Sequence, residues 1–188
     1  MLVKYIKIIT CFIILFQNQL YSKTIDNVDI NSKDLSNYFS AILSYNNSNN
    51  TDALKFFNLS KILINKHDPY LKKYIFSLVL NGQISKAIQE LKYNLDNKNL
   101  AFFEAYLILT VDSIEKKDFD KSLKYLEILS SYAKDNTIES AIYESLKDYL
   151  GVFKNKSISS KKSRYSNLSM INESFQNCYL GSKNSMNS

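Results

Sequence analysis

Nucleophiles, titratable groups and metal ligands at workable spacings are what chemistry requires, and this sequence offers few of them. It holds one histidine, His67, and two cysteines, Cys11 and Cys178. A single imidazole excludes histidine-rich metal sites and any relay between two histidines. His67 stands beside Asp68-Pro69, where an exposed turn residue is expected. No glycine-rich phosphate loop, GxSxG, HExxH or CxxC occurs. The densest acidic run, DSIEKKDFDKS at 112–122, sets four acids among three lysines. That mixture suits a solvated turn with a helix cap better than a calcium loop. No pair of carboxylates is marked out for acid–base work. The expectation is a chain without catalytic activity, metal or cofactor.

Composition says which elements would position any site. There is one proline and there are three glycines in 188 residues, with 45% hydrophobic content. So few breakers favour helices over the many turns of an all-β chain. The formal net charge is +6, yet Arg164 is the only arginine. Phosphate and base-edge recognition leans on the planar guanidinium, so the positive charge is weak support for nucleic-acid binding.

The N-terminus reads as an export signal. In MLVKYIKIITCFIILFQNQLYSK, Lys4 and Lys7 precede a short apolar run, Ile8 to Phe16, and then polar residues. A membrane span needs roughly 20 apolar residues, so a cleaved signal peptide at 1–22 is expected, with a linker at 23–33. The chain is then exported, to the periplasm. The alternative is an uncleaved membrane anchor at 8–21. Cleavage leaves Cys178 alone, so no intrachain disulfide can form and packing must hold the fold. Cys178 lies in an apolar helical pattern and is expected to be buried.

A repeat organises the middle of the chain. Ala53, Ala87 and Ser122 are separated by 34 and 35 positions. Each is followed by a bulky residue four later and a further residue three on: Phe57 and Ser60, Leu91 and Asn94, Leu126 and Leu129. Those offsets fall on one helical face. Upstream of each lies a partner stripe: Leu35, Tyr38, Phe39, Ile42 and Tyr45; Leu71, Tyr74, Ile75 and Leu78; Phe103, Tyr106, Leu107, Thr110 and Ile114. The small residue is the hole that lets two antiparallel helices cross closely, with the partner stripe as knobs. The sequence thus predicts an all-α fold, an alpha-alpha superhelix (solenoid) of antiparallel helix hairpins, with three repeats at 34–135. Helix starts are expected at Asp68-Pro69, Asp118, Asn50 or Thr51, Asn99 and Asn136, and a stop at Asn81-Gly82.

Residues 136–180 continue more loosely. NTIESAIYESLKDYLGVF carries Ile138, Ala141, Ile142, Ser145, Leu146 and Tyr149 on one face. After a basic, serine-rich stretch, NLSMINESFQNCYLG places Leu168, Ile171, Phe175, Cys178 and Tyr179 on one side, with Gly181 as a stop. This helix either caps the hairpins with its apolar face inward or begins a hairpin that truncation has cut short; truncation is the reading taken. A polar tail at 181–188 follows.

The chain resembles a tetratricopeptide repeat protein, over 34–135 closely and over 136–180 loosely. The family's first-helix motif is met in part by Tyr38, Ala41, Ile42 and Tyr45, by Leu71, Tyr74, Ile75 and Leu78, and by Tyr106, Leu109, Thr110 and Ser113. LKKYIFSLVLNGQISKAIQELKYNLDNKN is also similar to exported repeat proteins of alphaproteobacteria. The resemblance implies a scaffold that binds a protein or peptide on its concave face. Asn37, Ser40, Lys72, Ser77, Glu104 and Thr110 are the candidate groove residues. Two alternatives stand beside it: a membrane-anchored structural part of an envelope complex, and a helical-repeat RNA-binding protein with a similar period.

Overall fold

A computed structural model describes residues 30–94, 101–158 and 166–186. The chain divides into two units, Met1–Ser32 and Lys33–Ser188. The expected signal segment and Asn99 lie outside the described residues.

Every regular element among the described residues is helical: α1 (Ser32–Asn46), α2 (Asn50–Leu59), a 3-10 turn at Lys61–Leu63, α3 (Asp68–Leu80), α4 (Ile84–Asn94), α5 (Phe103–Glu115), α6 (Phe119–Ser130), α7 (Ile138–Asn155) and α8 (Ser166–Met186). From α2 onward, the closest helix–helix approaches join helices consecutive in the chain. None of the described helices is long and apolar enough to cross a membrane.

Three turns, joining α1 to α2, α3 to α4 and α5 to α6, share one geometry. Each contains a residue in the left-handed region: Ser48 (φ 59°), Gly82 (φ 71°) and Lys117 (φ 59°). In each, the next amide reaches back to close the preceding helix: Asn49 N to Ser44 O, Gln83 N to Leu78 O, and Asp118 N to Ser113 O, all 2.9 Å. That is the Schellman closure, which satisfies carbonyls left over at a helix end. The three left-handed residues lie five positions before Ala53, Ala87 and Ser122, so the turn recurs at the same interval as the small residue. Only Gly82, which lacks a Cβ, adopts that conformation without strain. A Cβ at Gly82 would meet nothing within 4 Å, so its substitution costs backbone strain alone. Gly82→Ala should therefore destabilise by about 1–2 kcal/mol, and Lys117→Gly should shift stability the opposite way. Urea denaturation measures both, and a neutral Gly82→Ala would refute the strain account.

Ala53 on α2, Ala87 on α4 and Ser122 on α6 are wholly buried, as are Phe57, Leu91 and Leu129. The Ser122 hydroxyl is no obstacle to this, because it donates to Asp118 O (2.8 Å) within its own helix. One core cluster runs from Tyr38 on α1 to Leu109 on α5. A second joins Phe103 and Tyr106 on α5 to Leu126 and Leu129 on α6 and Leu150 on α7. At the centre of the first, Tyr70 stacks on Tyr38 at 5.6 Å and meets Phe57 edge-on at 5.4 Å. The Tyr70 hydroxyl donates to the Phe57 carbonyl and lies 3.4 Å from Ser60 Oγ. Burial pushes the Tyr70 phenol up, and pushes that of Tyr74 up to about 12.

Several expectations need correction. On α1, Ala41 is buried, while Leu35 is exposed and Phe39 is 65% exposed. The inner face is thus rotated toward Tyr38, Ala41 and Tyr45, with Ile42 also packed against the core. The caps shift by one residue. Asn49, not Asn50 or Thr51, accepts from Asp52 N, and Thr137, not Asn136, shares a capping box with Ser140. His67, not Asp68, occupies the N-cap of α3. Asp118 does cap α6, accepting from Lys121 N (3.1 Å). Ile138 is exposed at the start of α7. Gly181 does not end α8, which continues to Met186. Cys178 is exposed, because α8 turns its apolar stripe away from the core.

Candidate functional site

The fold places an open groove of about 880 Å³ between α4 and α5. Helix α4 contributes Ile84, Ser85, Ile88, Gln89 and Lys92, whose offsets of one, four, five and eight hold them on one face. Helix α5 contributes Asp112 and Glu115 from its last turn, and Lys116 is its C-cap. Ile88 packs against the core and Ile84 is exposed, so the groove has an apolar floor open at one end.

Asp112 organises the polar wall. Its side chain is 5% exposed. Lys92 reaches it from α4, Nζ to Oδ2 at 3.0 Å, and Lys116 binds the other oxygen from one turn on. Burial alone would push the Asp112 carboxyl up, but its bonds to Lys116 and Lys92 outweigh that and hold it below the usual carboxylate value. One buried acid shared by two ammonium groups ties α4 to α5 and leaves both lysine heads at the groove rim, 38% and 60% exposed. Lys116 also sits at the C-terminus of α5, where the helix dipole favours a cation.

The residues expected to line a groove are placed otherwise. Ser77 and Thr110 are wholly buried. Their hydroxyls donate to Lys73 O (3.0 Å) and Tyr106 O (2.7 Å), the carbonyls one turn back. Ser77 shares the inner stripe of Tyr70 and Tyr74, and Thr110 that of Phe103 and Tyr106, so a small self-satisfied hydroxyl serves there as a packing group. Lys72 and Glu104 form an ion pair across α3 and α5, with Nζ 2.9 Å from both carboxylate oxygens. The same ammonium lies 5.5 Å from the ring centres of Phe76 and Phe102. Asn37 and Ser40 are half-buried on α1, where Ser40 donates to Ser36 O (2.9 Å). The structure therefore brings Lys72 and Glu104 together and does not join the six into one site.

The chain matches no family model, no curated protein and no solved structure.

Among the described residues no group of three or more His, Cys, Asp or Glu side chains could hold a metal ion. His67 is exposed, and its Nε2 lies 2.8 Å from the Tyr38 hydroxyl, which ties the α3 N-cap to α1. Sequence reasoning missed Lys92, Asp112 and Lys116 as a unit. The i, i+4 spacing of Asp112 and Lys116 was a signal within DSIEKKDFDKS. Lys92 lies 20 positions upstream, and only tertiary packing reveals it.

Proposed function

We propose that this chain is an exported helical-repeat scaffold that holds a segment of another protein in the groove between α4 and α5. The observation that supports the reading is one left-handed turn followed five positions later by a buried small residue, Ala53, Ala87 and Ser122, recurring at intervals of 34 and 35. Such hairpins stack through their neighbours and create extended binding surfaces. The groove offers an aliphatic floor from Ile84 and Ile88 and a rim of Lys92, Glu115 and Lys116 around Asp112. A bound segment with one aliphatic anchor and mixed charge matches that lining, since apolar contact supplies affinity and charge sets orientation.

Site-specific photo-crosslinking tests the proposal. A photoreactive phenylalanine at Gln89, which is exposed on the groove wall, should give a discrete adduct in the envelope fraction. The same group at exposed Lys124 on α6 should not. Ile84→Asp should abolish the Gln89 adduct while leaving the helical circular dichroism intact. Identical adducts at Gln89 and Lys124, or an adduct insensitive to Ile84→Asp, would refute the groove assignment.

A further inference from the structure

Helix α8 rests on α7 through Asn172 and through Tyr179, whose ring meets Phe153 edge-on at 5.0 Å. Asn172 and Gln176 are 8% and 5% exposed. Asn172 accepts from the Tyr149 hydroxyl (3.1 Å) and donates to Ser145 Oγ (2.9 Å). Leu168, Ile171, Phe175 and Cys178 follow the 3, 4, 3 spacing of one helical stripe. All four are exposed, Ile171 at 54% and Phe175 at 63%. The helix is amphipathic, with its apolar side turned to solvent.

Charge gathers at the same end of the chain. From Lys156 to Ser188 the sequence holds five basic residues and one acid, Glu173, a net charge of +4. Lys154 does not add to this, because it pairs with Asp120 on α6 at 2.8 Å. Lys161, Lys162 and Arg164 directly precede α8 in the sequence. Cations ahead of a helix N-terminus oppose its dipole, so helix stability does not account for them. A basic cluster joined to an exposed apolar helical stripe is the combination that binds anionic membrane surfaces.

We propose that the apolar stripe of α8 docks on an anionic phospholipid surface. Leu168, Ile171 and Phe175 enter the boundary between headgroups and acyl chains, and the basic residues neutralise anionic headgroups. The helix lies along the surface rather than crossing it. This contact is independent of the groove between α4 and α5 and of the N-terminal segment.

The absence of tryptophan from the chain supplies a local reporter. In the full chain, Phe175→Trp should show a blue-shifted emission with vesicles of phosphatidylglycerol in phosphatidylcholine. It should show none with phosphatidylcholine alone, and high salt should reverse the shift. Reversing charge at Lys161 and Lys162 to glutamate should lower the apparent vesicle affinity at least about tenfold. Ile128→Trp on α6 should not respond. Should Phe175→Trp disturb the helical circular dichroism, Ile171→Trp reports the same face. Unshifted emission with the anionic vesicles overturns the proposal. So does an equal shift on neutral vesicles, or a lipid-free shift that grows with protein concentration and marks a second copy as the partner.

Discussion

Tyr70→Ala is expected to cost about 3–5 kcal/mol, the largest single-residue loss in the fold. The side chain is wholly buried, packed among Tyr38, Phe57 and Tyr74. Its removal empties a volume bounded by α1, α2 and α3, and rings of that size cannot collapse into the space without leaving their rotamers. Tyr70→Phe separates the ring from the hydroxyl. The Phe57 carbonyl also accepts from Ser60 N (3.1 Å), so losing the phenol does not strand a buried acceptor. That variant should cost only about 1 kcal/mol. Urea denaturation of both, with a common m-value, checks the pair. A Tyr70→Ala cost no larger than that of Tyr70→Phe would place the energy of this cluster in the hydroxyl and not in the packing.

Ala87→Leu is the second. Ala87 lies at the close approach of α3 and α4 and is wholly buried, so three added carbons have no free space to enter. Overpacking of this kind costs roughly 1–3 kcal/mol, or a fall in Tm of about 2–12 °C for a chain of this size. Gln89→Leu, two positions along the same helix and exposed, should stay within about 0.5 kcal/mol of the parent. Equal losses from the two substitutions would mean that general hydrophobicity, and not the fit at the crossing, governs stability here.

The hairpin register was legible because it rests on short-range offsets. Small residue, bulky residue and breaker sit within a few positions of one another, and Ala53, Ala87 and Ser122 are accordingly buried on α2, α4 and α6. The turns were legible only at Gly82. Ser48 and Lys117 adopt the same left-handed conformation with side chains that give no hint of it, because the backbone bonds around them impose it. Polarity misled the reading of the site. Ser77 and Thr110 looked available for a partner, yet a hydroxyl that bonds its own helix can be buried like a methyl group. At α8 the error ran the other way: apolar spacing fixed the helical face but not which side meets α7, and the Tyr149–Asn172–Ser145 bonds decide that. The groove depends on Lys92 meeting Asp112 across two helices, a distance in sequence at which local pattern carries no information.

The buried hydroxyls have a mechanical meaning. Ser77, Thr110, Ser113 and Ser122 each spend their proton on a carbonyl one turn below and ask nothing of the facing helix. Where such residues meet a neighbour, the surfaces are held by shape alone, without directional bonds that fix one registration. Small displacements at those four side chains break no hydrogen bond of their own. Register between helices is set instead by bonds that cross from one to another, such as Lys92–Asp112 between α4 and α5 and Lys72–Glu104 between α3 and α5.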